Sequence, residues 1–264
     1  MSDSQSDLFR SAQSLSCFLR CIWHTLHERG LMRLDRYIAD SALITRSEAT
    51  KAIRGGRVTV DGKSARDPSA KIDEKSANIC LDGVKLGYTE FRYIMLNKPA
   101  DTVSTTEEND PKSVMNLLPQ EMRRLDMFPC GRLDIDTVGL LIITNDGQTA
   151  HALLSPKHHC EKTYRFECLP LPDGAKELLE RGIELKDFTS KPCTVSLDDE
   201  THGEITVTEG KYHQIKRMFH AVDSEITFLE RVTFGGIELD RTLARGQWRD
   251  LTAEETALLL SQTK

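Results

Sequence analysis

The first regular pattern along the chain is a set of apolar residues at helical spacing. They are Leu34, Tyr37, Ile38 and Ala42. This spacing predicts a short amphipathic helix. A second helix is predicted directly after it, because Thr45 and Glu48 form a T-x-x-E capping box and the pair Gly55-Gly56 ends the pattern.

Strand signals follow these two helices. The alternating segment 58–60, the turn at Asp61-Gly62 and the run 78–81 predict a small sheet. We therefore predict a small helix-and-sheet domain over residues 32–84, followed by a linker over residues 85–92.

A second, larger core is predicted over residues 93–264, beginning with the apolar run 93–96. Strand patterns lie at 140–143, 163–169, 195–197, 205–207 and 226–232, and helical patterns lie at 148–154, 174–181, 215–222 and 253–260. The elements mix without a regular β-α-β rhythm. The predicted fold class is therefore α+β.

Composition is that of an ordinary water-soluble protein of 264 residues, with 39% hydrophobic and 29% charged residues and a mean hydropathy of −0.41. No apolar run approaches the roughly 18 residues that a membrane span needs. The seven cysteines form an odd count without a CxxC pair, which favours reduced thiols. We therefore expect a cytoplasmic protein with no membrane partner.

Residues 1–31 are polar at first and then weakly apolar, without a cleavage site of the secretory type. Strong periodicity begins only at Met32. We expect Met32 to be the functional start, with residues 1–31 either a mispredicted leader or a frayed extension. Cys17, Cys21 and His24 lie within this extension, and one helical turn without further ligands is poor zinc geometry.

A basic patch stands out in a chain whose formal net charge is −6. Between positions 46 and 66 the basic residues are Arg46, Lys51, Arg54, Arg57, Lys63 and Arg66. Only Glu48 and Asp61 oppose them, so the segment carries +6 and −2, or +4. Such a stripe suits a phosphate backbone, and it suits a solvated helix face equally well.

Residues 33–72, RLDRYIADSALITRSEATKAIRGGRVTVDGKSARDPSAKI, resemble the S4 RNA-binding module over nearly its whole length. The resemblance implies that the two helices dock on structured RNA. It also implies the RNA contacts, which would be Arg46, Lys51, Arg54 and Arg57. The absence of interleaved aromatic residues agrees with recognition of RNA backbone and shape.

Residues 131–147, GRLDIDTVGLLIITNDG, place charged side chains at the entrance of a predicted buried strand. A carboxylate held there can be desolvated and fixed in orientation, so Asp134 or Asp136 is the first candidate for a catalytic residue. On spacing alone, a cap or a surface charge is the commoner role. His158-His159-Cys160 does not predict a metal site, because adjacent side chains diverge and no second ligand pair lies at useful spacing.

A basic helix is predicted near the end of the chain. Its apolar face carries Ile215, Met218, Phe219 and Val222, and its other face carries His213, Lys216, Arg217 and His220. Arg217 is therefore a further candidate for RNA binding.

Four segments together look like an RNA pseudouridine synthase of the RsuA family. They are residues 131–147, HHCEKTYRF at 158–166, Lys191-Pro192, and EGKYHQIKRMFHAV at 209–222. The resemblance implies a catalytic domain with a mixed, mainly antiparallel sheet. It also implies conversion of one uridine of 16S rRNA to pseudouridine, without metal or other cofactor.

The same resemblance assigns roles to individual residues. Asp134 is the catalytic carboxylate, with Asp136 as its structural neighbour. Lys216 is the ion-pair partner that keeps the acid charged. Tyr164 stacks on the target base and takes part in removing its C5 proton, and Arg132 holds the flipped nucleotide.

The implied partner is 16S rRNA or a small-subunit assembly intermediate, bound by a monomer. Two alternatives remain open, namely the same reaction on large-subunit rRNA and a non-catalytic rRNA-binding or ribosome-assembly protein. A two-carboxylate glycoside hydrolase is disfavoured, because Asp134 and Asp136 on one strand would share a face and could not straddle a bond.

Overall fold

The computed structural model describes residues 31–107, 109–155 and 157–263. The chain divides into two compact units between Glu90 and Phe91. The expectation that residues 1–31 are an extension, with its cysteine and histidine group, concerns sequence that lies outside the described residues except for Leu31. No helix in the described part of the chain is long and apolar enough to cross a bilayer.

In the part of the first unit that the structure describes there are two helices and six short strands. They are β1 (Met32–Arg33), α1 (Leu34–Ala42), α2 (Arg46–Arg54), β2 (Val58–Val60), β3 (Lys63–Ser64), β4 (Lys71–Ile72), β5 (Ile79–Leu81) and β6 (Val84–Lys85). Four strands form an antiparallel sheet in the order β3-β2-β5-β6, and β1 pairs with β4. The predicted capping box is confirmed, because Thr45 and Glu48 each bond the other's backbone N–H.

The core of the first unit is formed by the apolar faces of both helices and of the sheet. Its fully buried members include Leu34, Ile38, Ala49, Ile53, Val58 and Ile79. Leu34 and Ile38 belong to the helical pattern of the sequence, and Val58 and Ile79 lie in the segments predicted as strands. The pattern therefore predicted this core because it is built from local, amphipathic elements.

The first residues of the predicted linker 85–92 pack on the first unit. β6 extends through Lys85, and Leu86 and Tyr88 pack against the core of the first unit. The rings of Tyr37 and Tyr88 stack with centroids 5.4 Å apart, and the Tyr37 hydroxyl donates to the Leu86 carbonyl. Burial of these apolar side chains holds the segment on the first unit, so it is not a free linker.

The second unit is built on a nine-stranded sheet. Its strands are β7 (Tyr93–Lys98), β8 (Phe128–Pro129), β9 (Val138–Thr144), β10 (Lys162–Cys168), β11 (Thr194–Leu197), β12 (His202–Val207), β13 (Ile226–Phe234), β14 (Ile237–Glu238) and β15 (Trp248–Asp250). Its helices are α3 (Gln120–Arg123), α4 (Gly147–Leu154), α5 (Ala175–Arg181), α6 (Gln214–His220) and α7 (Ala253–Ser261), with a 3-10 turn at Val114–Leu117.

The strand order is β11-β12-β10-β13-β9-β7-β15, with β14 beside β13 and β8 beside β9. The pair β9 and β13 is parallel, and the other strand pairs of this sheet are antiparallel. The α+β class and the mixed, mainly antiparallel sheet are therefore confirmed.

β9 lies in the interior of this sheet, and all seven of its residues are buried. A strand that is buried on both faces has a nearly continuous run of apolar residues in its sequence. Gly139 allows β13 to approach it, because its φ is +98° and an added Cβ would lie 2.3 Å from the Arg231 carbonyl oxygen. The loop that precedes β9 is thereby fixed beside β13.

Candidate active site

Asp134 lies in the loop 130–137 that joins β8 to β9, and its side chain is 27% exposed. The loop is held from one side by Ser104, whose hydroxyl donates to the Leu133 carbonyl and accepts from the Leu133 N–H. The Thr137 N–H also closes a turn onto the Asp134 carbonyl. The carboxylate is thus presented by a fixed backbone at the mouth of a buried strand.

Lys98 holds the same loop from within the sheet. The residue is fully buried, and the three N–H groups of its Nζ are shared among four carbonyl oxygens. These are the oxygens of Pro99 at 3.1 Å, Asp134 at 3.1 Å, Ile135 at 3.3 Å and Thr137 at 2.8 Å. Burial lowers the pKa of Lys98 to about 8, and the charges of Asp136 and Asp134 oppose this shift. The ammonium group therefore keeps its proton at neutral pH and ties the loop together.

β7 continues two residues beyond the apolar run 93–96, through Asn97 and Lys98. Asn97 is held there by its own bonds, from its N–H to the Gln247 carbonyl at 3.0 Å and from its amide to the Leu243 carbonyl at 2.6 Å. A lysine two residues after the apolar run 93–96 was the available signal for a buried cation. It was missed because its acceptors come from a loop some 36 to 39 residues further along the chain.

Lys216 on α6 lies between two carboxylates. Its Nζ is 3.6 Å from Oδ2 of Asp134 and 2.5 Å from Oδ1 of Asp136. Burial alone would raise the pKa of Asp136. The hydrogen bond from Lys216 and its positive charge outweigh burial, so the pKa of Asp136 lies below the ordinary value for an aspartate. The structure thus brings Lys216 to Asp134, as the resemblance implied, and adds a shorter contact to Asp136 that the resemblance did not indicate.

His213 also contacts the candidate acid. Its Nε2 lies 3.6 Å from Oδ1 of Asp134, on the other carboxylate oxygen from Lys216. It precedes α6 in the left-handed conformation, with φ +49°. The sequence placed His213 only on the polar face of a helix. The spacing of residues in the sequence does not show that a non-glycine residue adopts this conformation, so the contact with the carboxylate is seen only in the structure.

Tyr164 lies on β10 and is 8% exposed. The strand register places it opposite Arg231 of β13, which in turn lies opposite Gly139 at the start of β9. Two strand spacings of about 4.8 Å therefore separate its backbone from the end of the Asp134 loop. Alternation puts Tyr164 on the same face as Phe166, and the Phe166 ring packs on Phe219 of α6 at 4.8 Å. Tyr164 and the helix that carries Lys216 thus share one face of the sheet.

The predicted RNA-binding residues of the first unit divide into two groups. Arg46 pairs with the buried Asp35 at 3.2 Å, and Arg57 forms a two-bond ion pair with Asp82. Lys51 and Arg54 are exposed, and no carboxylate that the structure describes lies within ion-pair distance of them. The charge that is free to meet a phosphate is therefore smaller than the sequence count indicated.

Asp35 holds this arrangement in place. The hydrogen bond from Arg33, and then that from Arg46, lower its pKa to about 2 against the opposing effect of burial. Asp35 is therefore ionised at neutral pH and neutralises part of the charge of its two arginine partners.

The remaining candidates lie in the second unit. Arg132 is exposed two residues before Asp134. Arg217 forms an ion pair with Asp187 and lies 5.0 Å from the centre of the Phe188 ring. Within residues 31–107, 109–155 and 157–263, no group of three or more His, Cys, Asp or Glu side chains is placed to hold a metal ion.

Comparison with known proteins agrees with this architecture. Residues 92–221 match the family model of RNA pseudouridylate synthase, and residues 32–77 match that of the S4 domain. "Ribosomal small subunit pseudouridine synthase A" of Escherichia coli (strain K12) is 42% identical over 231 residues, which cover 86% of this chain and 99% of that protein. The chain belongs to the family of RNA pseudouridine synthases, and it is therefore an isomerase that carries an S4 domain.

Two further proteins show the same similarity. "Uncharacterized RNA pseudouridine synthase YtzG" of Bacillus subtilis (strain 168) is 40% identical over 235 residues, covering 86% of this chain and 98% of that protein. A solved structure titled "Crystal structure of pseudouridylate synthase" is 35% identical, with a TM-score of 0.61, and the match covers 86% of this chain and 99% of that one. The similarity thus spans both units.

Proposed function

We propose that this enzyme converts one uridine of small-subunit ribosomal RNA to pseudouridine. The observation that carries the proposal is the 42% identity to the Escherichia coli protein named "Ribosomal small subunit pseudouridine synthase A", aligned over 99% of that protein's length. We propose further that it acts as a monomer in the cytoplasm, on 16S rRNA or on a small-subunit assembly intermediate, without metal or other cofactor.

The proposed reaction is an isomerisation. The N1–C1′ bond of uridine breaks, the uracil ring turns, and a C5–C1′ bond forms. The C5 proton leaves and N1 gains a proton, so no atoms are added and no electrons are exchanged with another reagent. One carboxylate that acts as nucleophile or base at the sugar is therefore sufficient.

We assign that carboxylate to Asp134. In a pocket closed by RNA, an isolated aspartate would tend to take up a proton. Lys216 at 3.6 Å supplies the positive charge that favours the ionised form, and Lys98 fixes the backbone that aims it. Tyr164 receives the flipped base and takes part in removing the C5 proton, and Arg132 helps to hold the nucleotide.

The proposed target can be tested directly. The purified enzyme is incubated separately with unmodified 16S rRNA, with small-subunit assembly particles and with large-subunit rRNA, and pseudouridine is mapped in each. We expect one modified uridine in the small-subunit RNA and none in the large-subunit RNA. Modification of large-subunit RNA alone would overturn the proposed substrate, and absence of pseudouridine from all three would favour a non-catalytic binding protein.

We propose that Lys51 and Arg54 make the main phosphate contacts of the S4 domain, because they are exposed and unpaired within the described residues. Arg46 and Arg57 contribute less, since Asp35 and Asp82 already neutralise them in part. Arg217 is similarly held by Asp187.

Replacing Lys51 and Arg54 together by Gln is expected to weaken RNA binding about tenfold or more at 0.1 M salt. Two lost phosphate contacts should also reduce the slope of log K against log salt by nearly two. Filter binding over a salt series measures both quantities. Arg57→Gln is the matched control and should have a smaller effect. If Arg57→Gln weakens binding as much as the double variant does, the assignment of the main contacts is incorrect.

A further inference from the structure

We propose that Tyr212 and His213 form a stacking platform for the nucleobase next to the target uridine. The inference rests on the proposed function, since it takes RNA as the substrate. It concerns a second base-binding surface beside the catalytic carboxylate, separate from Tyr164.

Tyr212 is 72% exposed, more than any other large hydrophobic side chain that the structure describes. Its ring lies on the His213 ring with centroids 3.8 Å apart and planes inclined by 19°. One face of the tyrosine is therefore covered by the imidazole and the other is open to solvent. An open aromatic face is a surface on which any nucleobase can stack.

The loop that carries the pair is fixed before RNA binds. The buried Gln214 donates to Oε1 of Glu209 at 2.8 Å and accepts from the Lys211 N–H at 3.0 Å. The same Glu209 oxygen also accepts from the Lys191 N–H at 2.8 Å. Since the backbone is held and tyrosine has only two side-chain torsions, little conformational entropy is lost when a base stacks.

The platform is also close to the reaction. Beneath Tyr212, His213 reaches Asp134 with Nε2 3.6 Å from the carboxylate. Only two contacts, of 3.8 Å and 3.6 Å, thus separate the tyrosine ring from the candidate acid. A nucleotide adjacent to the target is joined to it by a single phosphodiester, so we place its base on the open face of Tyr212.

A flipped uridine leaves its neighbours without a stacking partner on one side. Tyr212 replaces that partner for one neighbour, while the exposed Lys211 places positive charge beside the RNA backbone. The platform would stabilise the strand only when the target has left the stack. It would therefore contribute to substrate selection as well as to affinity.

The test uses a synthetic RNA fragment that contains the uridine converted by the wild-type enzyme, identified first by mapping in total rRNA. Two further fragments carry an abasic ribose on the 5′ or the 3′ side of that uridine. The value of kcat/KM is measured for the wild type, Tyr212→Ala and Tyr212→Phe on all three. Leu178→Ala, which truncates an exposed apolar side chain on α5, is the control for general loss of stability.

We expect Tyr212→Ala to lower kcat/KM about tenfold on the intact fragment, the size of one stacked base, and Tyr212→Phe to restore most of the loss. The wild type should convert one of the two abasic fragments about as poorly as Tyr212→Ala converts the intact fragment. Tyr212→Ala should convert that abasic fragment no more slowly than it converts the intact one. This non-additivity would not follow from a merely structural role.

Two results would overturn the platform while leaving the proposed function in place. They are a Tyr212→Ala variant within twofold of the wild type on the intact fragment, and abasic effects of equal size in both enzymes on both sides. A wild-type enzyme that converts no uridine in total rRNA would instead overturn the proposed function, and this inference with it.

Discussion

The Asp134→Asn variant is expected to lose pseudouridine formation by about 10⁴-fold or more while it still binds RNA. The change replaces the carboxylate, which can act as nucleophile or base, by an amide that can do neither. The loss of turnover should therefore match that seen when a nucleophile is removed from other enzymes. The amide keeps the shape of the side chain, and the loop is held by backbone bonds to Lys98 and Ser104. Tritium release from 5-tritiated uridine in rRNA measures turnover, and filter binding measures affinity.

Asp136→Asn is the matched control, because Asp136 lies two residues away and shares Lys216 with Asp134. Asp136 has the shorter contact to Lys216, so the distances alone would allow the opposite assignment. We expect the Asp136 variant to lose no more than about tenfold, since it would weaken only the placement of Lys216. If Asp136→Asn is inactive and Asp134→Asn retains turnover, the catalytic carboxylate is Asp136.

The elements of this protein could be predicted where the information is local. The capping box of Thr45 and Glu48, and the apolar run of β9, each lie within a few residues of sequence and depend on no distant partner. Helix propensity, capping and alternation act at that range. The strand order could not be derived in the same way, because the parallel pairing of β9 with β13 joins residues about 90 positions apart.

The candidate site was predicted only in part, for the same reason. A motif can identify Asp134 and Lys216, but the contact of His213 with Asp134 depends on one left-handed residue at the start of α6. The number of free cations was overestimated, because Asp35 and Asp82 approach Arg46 and Arg57 from other elements. Charge counted along the chain does not show which charges are paired in space.

The second large effect is expected from Lys98→Met, which keeps the length of the side chain and removes its charge and its donors. Four carbonyl oxygens, three of them in the loop that carries Asp134, would lose their shared donor. Buried acceptors without a donor typically cost about 1 to 3 kcal/mol each, so we expect the second unit to lose about 3 kcal/mol or more of its free energy of unfolding. Displacement of the loop should also lower kcat/KM by about 10²-fold.

Urea unfolding followed by the fluorescence of Trp248 measures the first effect, because Trp248 lies opposite Leu96 on the strand that carries Lys98. The comparison is made in a Trp23→Phe background, so that the emission reports only the second unit. Lys162→Met is the matched control, since Lys162 is also buried in this sheet and its Nζ donates to the Cys160 carbonyl at 2.6 Å. Lys98 binds the loop that carries Asp134 and Lys162 does not, so the two variants should differ most in kcat/KM. Equal losses of activity would mean that Lys98 acts only through general stability and not by positioning Asp134.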